Sequence, residues 1–310
     1  MKDLLSSLQG NFTLVNLGCI GDADLPLPPA FRRTLTVIEA DAEGGSKTGG
    51  AYHKKISIDK PIAGQAGKRQ FRHTNFPGTC SLLEADPQVV SAFGMEDYTK
   101  LLELIEFDCT TIPDLLQQNN LTTLDFLKTD IEGLDSEIIR SCHAYLGRTL
   151  MVQCELRFRP FYKGEPYFHE TVSLLAAHGY EVLDLVQIDR WKYRTPHRRY
   201  QLEGRAQWAD FVFVLQPEKL RENFGDQWPL AVAKQIILSV MLGKKNYAEY
   251  ILEKFKADLP AEWVNQLAPL TRPRLPALSR LPTKLRWLFY PLELFMKHHI
   301  GKSEFVAIKR

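Results

Sequence analysis

The stretch Leu124-Asp-Phe-Leu-Lys-Thr-Asp-Ile-Glu-Gly133 decides the fold of this chain. Apolar residues lead into a charged turn that holds Lys128, Asp130 and Glu132, and Gly133 ends the run. A buried strand that ends in carboxylates and leads into a helix is typical of open α/β sheets, which bind ligands at this edge. A simpler reading also fits, in which Asp130 caps the following helix and Glu132 favours its N-terminus.

A glycine turn follows an earlier apolar segment, residues 12–17, which has the composition of a buried strand. The turn reads Gly18-Cys19-Ile-Gly21, and glycines at this place let a ligand approach the backbone closely. Residues 34–39 form a second predicted strand that ends in Glu39, roughly 20 residues after the turn. An acid in that position is placed to accept hydrogen bonds from ribose hydroxyls.

The remainder of the chain alternates between predicted strands and helices. Strands are predicted at residues 55–58, 69–74, 149–155, 180–186 and 209–215, with helices starting at Thr111 and spanning 165–179. This alternation predicts a mostly parallel sheet with an antiparallel final pair. The composition becomes helical after residue 217, so we expect one domain at 1–217 and a helical extension at 218–310.

Composition excludes several classes of protein. The net charge of +2 does not mark the whole chain as a polyanion binder, and the five cysteines are odd in number and form no CxxC pair. This argues against a disulfide framework or a zinc site and for a reducing compartment. Because the sequence has neither a signal-peptide pattern nor an apolar run of membrane-spanning length, we expect a cytoplasmic protein with no transmembrane segment.

Two segments are rich in Lys and Arg with interleaved aromatic residues. Residues 189–205 lie between the last two predicted strands, and residues 271–310 carry nine basic and two acidic side chains. The first segment is either an acceptor-binding element with arginines for an anionic or sugar ligand, or an ordinary exposed loop. The second is either a basic surface for peripheral contact with a membrane or a polyanion, or a solvated helical tail.

The order of these motifs resembles the FkbM-type methyltransferases, a branch of the S-adenosylmethionine-dependent enzymes. The resemblance rests on 124–133, on Gln153-Cys-Glu155 with Pro160-Phe-Tyr162, and on the loop Asn75-Phe-Pro-Gly-Thr-Cys-Ser81-Leu82. It covers about residues 11–216 and implies an α/β, Rossmann-like methyltransferase fold with a seven-stranded sheet whose last strand is antiparallel. Two departures are Asn16, where the family commonly has Asp, and the proline-rich run at 26–29.

The resemblance also implies roles for individual residues. The S-adenosylmethionine site would include Asn16, Gly18, Cys19, Gly21, Glu39 and Ser81. Asp130 and Glu155 would face the same cleft, where they act either as a base or as ligands of Mg²⁺. Tyr162 is predicted to contact the acceptor, and the basic segment 189–205 adds Arg194 and His197 as further candidates for this contact.

Two functions of different class therefore compete. The first is an O-methyltransferase that acts on a hydroxyl of a sugar, a glycan or a secondary metabolite, with an acceptor that carries negative charge as one option. The second is a non-catalytic binding or scaffold protein with a degenerate cofactor pocket, which Asn16 and the proline run motivate. The absence of a full GxGxxG motif counts against a nicotinamide-dependent oxidoreductase.

Overall fold

The computed structural model describes residues 3–18, 25–41, 51–196 and 204–272. Within these residues nine strands form two sheets. The strands are β1 (Phe12–Leu17), β2 (Leu35–Ala40), β3 (Lys54–Ile58), β4 (Gly67–Thr74), β5 (Leu101–Cys109), β6 (Phe126–Thr129), β7 (Met151–Arg157), β8 (Tyr180–Trp191) and β9 (Arg205–Leu215).

The main sheet has seven strands in the order β3-β2-β1-β6-β7-β9-β8. The pairs from β3 to β7 are parallel, whereas β9 is antiparallel to both β7 and β8. The predicted fold class, a mostly parallel seven-stranded sheet with an antiparallel last strand, is confirmed. The strand order reverses between β1 and β6, which is the switch point where open α/β sheets bind ligands.

Eleven helices accompany the strands in the described part of the chain. They are α1 (Leu4–Leu8), α2 (Pro29–Arg32), α3 (Pro87–Phe93), α4 (Ile112–Gln118), α5 (Asp135–Ser141), α6 (His143–Leu146), α7 (Phe168–Ala177), α8 (Pro217–Phe224), α9 (Trp228–Met241), α10 (Lys245–Phe255) and α11 (Ala261–Thr271). Short 3-10 helices occupy Pro77–Thr79 and Gly225–Gln227. In the same residues, every helix is too short or too polar to cross a bilayer.

The central strands are apolar because they are buried on both faces. All residues of β1 except Asn16 are buried, and Phe126 and Leu127 of β6 are at most 4% exposed. Parallel strands covered by helices on both sides show this near-continuous apolar character. The helix after β6 begins at Asp135 with Leu134 as its N-cap, so Asp130 does not cap it and remains available at the sheet edge.

The C-terminal helices pack against the sheet through polar as well as apolar contacts. The Lys234 ammonium of α9 lies 2.7 Å from the Asp125 carboxylate, and both side chains are buried. The other Asp125 oxygen accepts a hydrogen bond from the Thr13 N–H of β1. Gln235 donates to the Leu215 carbonyl, so α9 is joined to both the first and the last strand regions.

Three local expectations differ from the structure. The helix predicted at 165–179 begins only at Phe168, because the Glu165 carboxylate instead accepts hydrogen bonds from the backbone of the preceding loop. Strand β4 pairs with β5, which was not predicted, in a separate two-stranded sheet. The segment 189–205 is not all loop, because β8 continues to Trp191 and β9 begins at Arg205. Of the basic segment 271–310, residues 273–310 lie outside the described residues.

Candidate functional site

One row of polar side chains crosses four neighbouring strands near their carboxyl ends. Asn16 of β1 is in register with Glu39 of β2 and with Lys128 of β6, and Lys128 is in register with Gln153 of β7. All four residues line one cavity of about 1150 Å³. Neighbouring strands in register present their side chains to the same face, so this row forms part of the cavity wall.

A second row lies two residues further along the same strands and faces the same cavity. It contains Gly18 after β1, Asp130 after β6 and Glu155 in β7. Gly18 has a φ of +71°, and a Cβ atom there would lie 1.8 Å from the Asp130 carbonyl oxygen. Only glycine allows the first strand's turn to approach the Asp130 backbone this closely.

Three carboxylates meet at the end of the cavity formed by β6 and β7. Asp130, Glu132 and Glu155 each place one carboxylate oxygen within 4.8 Å of the others. The Arg157 guanidinium lies between two of them, with Nη2 2.6 Å from Glu132 Oε2 and 2.8 Å from Glu155 Oε1. Asp130 pairs instead with Lys128, at 3.6 Å.

Burial changes the acid–base properties of this cluster. It is the main reason that the pKa of Glu132 rises to about 7, and the Arg157 guanidinium opposes that rise. Burial also raises the pKa of Glu155 well above its ordinary value, against the same guanidinium. Raised carboxyl pKa values near a cleft are characteristic of groups that exchange protons at neutral pH.

The loop after β7 is held by a third carboxylate that contacts Arg157. Glu165 lies 3.2 Å from Arg157 Nη1 and accepts hydrogen bonds from the backbone N–H groups of Phe161 and Tyr162. The Tyr162 hydroxyl donates to the Glu132 carboxylate at 3.1 Å. Tyr162 is 2% exposed, so the structure brings it to the back of the acid cluster and not to the cavity wall.

Ser81 connects the predicted Asn75–Ser81 loop to the cluster. Its hydroxyl donates to the Glu132 carbonyl at 2.7 Å and accepts from the Leu83 N–H at 3.0 Å. Ser81 also lines the cavity, although it is 2% exposed. Because its hydroxyl is occupied by backbone groups, its contact in this structure is with the turn that carries Glu132.

Glu39 is the polar residue at the opposite end of the first row. Its side chain is 2% exposed, faces the cavity and pairs with Lys55 at 3.1 Å. It is therefore a buried carboxylate on the cavity wall near the end of β2.

Aromatic residues line the wall beside the acid cluster. Trp191 and Phe161 contact each other edge to face, and the Trp191 Nε1 donates to the Asp189 carboxylate at 3.0 Å. Phe76 and Tyr98 form a second edge-to-face pair and remain nearly half exposed. These five residues all line the cavity.

One described residue of the predicted site lies away from the cavity. Arg194 is exposed, pairs with Glu96 at 2.9 Å and does not line the cavity. Cys19, Gly21 and His197 lie outside the described residues.

The acid cluster is not suited to bind the Mg²⁺ ion that the sequence predicted there. Magnesium requires deprotonated oxygens that are free to approach at about 2.1 Å. Arg157 already contacts Glu132 and Glu155, the raised pKa values favour their protonated forms, and Asp130 has Lys128 as its partner. A cation at the centre would have to displace a buried guanidinium.

Sequence reasoning missed Arg157, the residue that organises the cluster. Glu155 and Arg157 are two apart in a strand and therefore project to the same face, which is a signal that the sequence offered. Glu132 does not cap α5, because Leu134 holds the N-cap position and the Glu132 carboxylate is bound by Arg157 and Tyr162. Its backbone φ of +55° lies in the left-handed region, which is unusual for a residue other than glycine.

Comparison with known protein families gives one result. Residues 48–182 match the family model described as the methyltransferase FkbM domain. The resemblance stated from the motifs is confirmed over these residues, which include the acid cluster and the Asn75–Ser81 loop. No match was found among curated proteins or among solved structures.

Proposed function

We propose that this chain, which carries an FkbM methyltransferase domain match over residues 48–182, is an S-adenosylmethionine-dependent O-methyltransferase. Its acceptor is a hydroxyl of a sugar, a glycan or a secondary metabolite. The observation that carries the proposal is the shared cavity at the switch point. Gly18 from β1 and the carboxylates of Asp130 and Glu155 from β6 and β7 open into it.

The donor end of the cavity has suitable polar groups for S-adenosylmethionine. Glu39 is a buried carboxylate near the end of β2, and carboxylate oxygens accept hydrogen bonds of the kind that ribose hydroxyls donate. Asn16 and Gly18 stand beside it at the end of β1, while Leu14 and Val37 supply apolar wall. A mostly apolar pocket with a few polar groups is the usual design of a cofactor site. Cys19 and Gly21 remain predicted members of this site.

S-adenosylmethionine supplies a methyl group on a positively charged sulfur. The acceptor hydroxyl must lose its proton as its oxygen forms the new bond to carbon, and we assign Asp130 to receive that proton. Its side chain is 25% exposed, against 19% for Glu132 and 6% for Glu155, and Arg157 does not bind it. Asp130 is thus the carboxylate of the cluster that an acceptor reaches most easily.

The other acids of the cluster have supporting roles in this proposal. Glu155 and Glu132 are both bound by the Arg157 guanidinium and hold its position beside Asp130. Tyr162, predicted from the sequence to bind substrate, is assigned a different role as a hydrogen-bond donor that fixes Glu132.

The aromatic wall supports a ring-shaped acceptor with hydroxyl groups. Trp191 offers an aromatic surface next to the Asp189 carboxylate, an arrangement that suits the apolar face and the hydroxyls of a sugar. The option of an anionic acceptor stays a prediction, as do acceptor contacts by Arg194 and His197. Four free, buried cysteines among the described residues support the proposed cytoplasmic location.

The experiment that tests this function compares two matched variants. Asp130→Asn keeps the size of the side chain but removes the base, so methyl transfer to a panel of glycosides should fall by about 100-fold or more while donor binding persists. Asp108→Asn, at an exposed position of β5 outside the cavity, is the control and should retain full activity. If the wild type binds no donor and methylates nothing, the scaffold function replaces the enzyme.

A further inference from the structure

The acid cluster contains its own cation. The side chain of Arg157 is 3% exposed, and its guanidinium contacts carboxylates from three parts of the chain. These are Glu132 in the turn after β6, Glu155 in β7 and Glu165 in the loop before α7. The guanidinium also lies over the ring of Tyr162, 5.1 Å from its centre.

The contacts of Arg157 resemble those of a cation shared by several carboxylates more than those of an ordinary surface ion pair. A single nitrogen, Nη2, approaches both Glu132 and Glu155, at 2.6 and 2.8 Å, while Nη1 faces Glu165. A divalent cation shared by two carboxylates would occupy the place of that nitrogen. An arginine keeps its charge at every accessible pH, and the fork of N–H groups holds several carboxylates at once.

We propose that the Arg157 guanidinium is the fixed cation of this centre and takes the place of a divalent metal. Arg157 is a positioning residue: it holds Glu132 and Glu155 together and anchors, through Glu165, the loop that carries Phe161. The part of the proposal that concerns positioning for methyl transfer rests on the proposed function. The part that concerns cation occupancy does not.

The test measures binding of Mn²⁺ by electron paramagnetic resonance, with neither donor nor acceptor present. Wild-type protein should bind no stoichiometric Mn²⁺ at about 100 μM. Arg157→Gln removes the guanidinium and leaves three carboxylates around one space, so Mn²⁺ affinity should rise at least tenfold. Adding Glu155→Gln to that variant should cancel the gain. Arg159→Gln, which removes a cation two residues further along outside the cluster, should bind like the wild type.

Two results would overturn the proposal. One is a wild-type protein that binds one Mn²⁺ and loses it in Glu155→Gln, since the cluster is then a metal site despite Arg157. The other is Arg157→Gln that folds but binds no more Mn²⁺ than the wild type. If Arg157→Gln does not fold, Arg157→Lys replaces it. A single ammonium cannot contact all three carboxylates, so Mn²⁺ affinity should still rise above that of the wild type, and an unchanged affinity would reject the idea.

The same preparations separate this proposal from the proposed function. Methyl transfer by the wild type should be unchanged by EDTA and by added Mg²⁺, and Arg157→Lys should change the pH profile of kcat because it moves Glu132. An inactive wild type that nonetheless gives the expected Mn²⁺ pattern would reject the enzyme function and keep the assignment of the cation.

Discussion

Replacement of Gly18 by alanine tests the contact on which the geometry of the cavity depends. The new Cβ would lie 1.8 Å from the Asp130 carbonyl oxygen, whereas real Cβ atoms stay at least 3.0 Å away, so the two backbones must separate by about 1.2 Å. The positive φ adds about 1–2 kcal/mol for an L-residue. With backbone displacement of the kind that overpacking causes, we expect a total loss of about 3 kcal/mol.

Gly10→Ala is the matched control for this experiment. Gly10 has nearly the same φ, +74°, but its Cβ would meet only a ring nitrogen of His53 at an ordinary 3.7 Å. Thermal unfolding should show a decrease in Tm of roughly 3 °C for Gly10→Ala and about 6–10 °C for Gly18→Ala. Donor binding should weaken only in Gly18→Ala. Equal Tm decreases in the two variants would refute the close approach of the turn to Asp130.

Three further changes probe other parts of the account. Burial raises the pKa of Asp135 from 3.8 to about 7, so the folded protein holds a proton that the unfolded chain loses, and stability falls as pH rises from about 4 to 7. In urea titrations at several pH values, Asp135→Asn should reduce this loss of stability by up to about 4 kcal/mol. An unchanged dependence of stability on pH would contradict the raised pKa. Lys234→Met leaves the buried Asp125 carboxylate without its cation and should lower the free energy of unfolding by about 3–5 kcal/mol. A loss below about 1 kcal/mol would mean that the packing of α9 does not depend on this pair. Asp189→Asn keeps an acceptor for Trp191 but removes a negative charge from the cavity wall. In calorimetry, the affinity for 4-nitrophenyl β-D-glucuronide, divided by the affinity for the neutral glucoside, should therefore rise about tenfold. An unchanged ratio of affinities would argue against acceptor binding beside Asp189.

Much of the sheet could be predicted because its strands carry strong local signals. Residues 12–17 are mostly apolar, the segment 124–129 carries Leu124, Phe126 and Leu127, and both segments contain central strands of the sheet. Thr111 caps α4 as expected, since its hydroxyl accepts from the Asp114 N–H. Strand β5 was missed because its outward side chains are exposed and its partner β4 lies about 30 residues earlier in sequence, so no local pattern reports the pairing.

The candidate site was predictable only in part, for a related reason. Register rules bring Asn16, Glu39, Asp130 and Glu155 to one sheet edge, and the structure brings them to one cavity. The partners of these groups depend on side chains that approach from other segments. Arg157 meets Glu165 through an irregular loop, and Tyr162 reaches Glu132 across 30 residues of sequence.

The division into residues 1–217 and 218–310 remains a proposal. The buried contact between Lys234 and Asp125 indicates that the first segment alone would lose a partner for a buried carboxylate. We therefore expect the fragment 1–217 to be less stable than the full chain.

Calorimetric titration with S-adenosylmethionine tests the central claim most directly. Wild-type protein should bind one equivalent of S-adenosylmethionine with saturable heat. Glu39→Gln should weaken binding by about tenfold because a buried carboxylate is lost. Lys55→Met removes a lysine that pairs with this carboxylate but keeps the carboxylate itself, so it should weaken binding less. A wild-type titration without heat, or equal affinity in Glu39→Gln and wild type, would contradict the assignment of this cavity to a methyl donor.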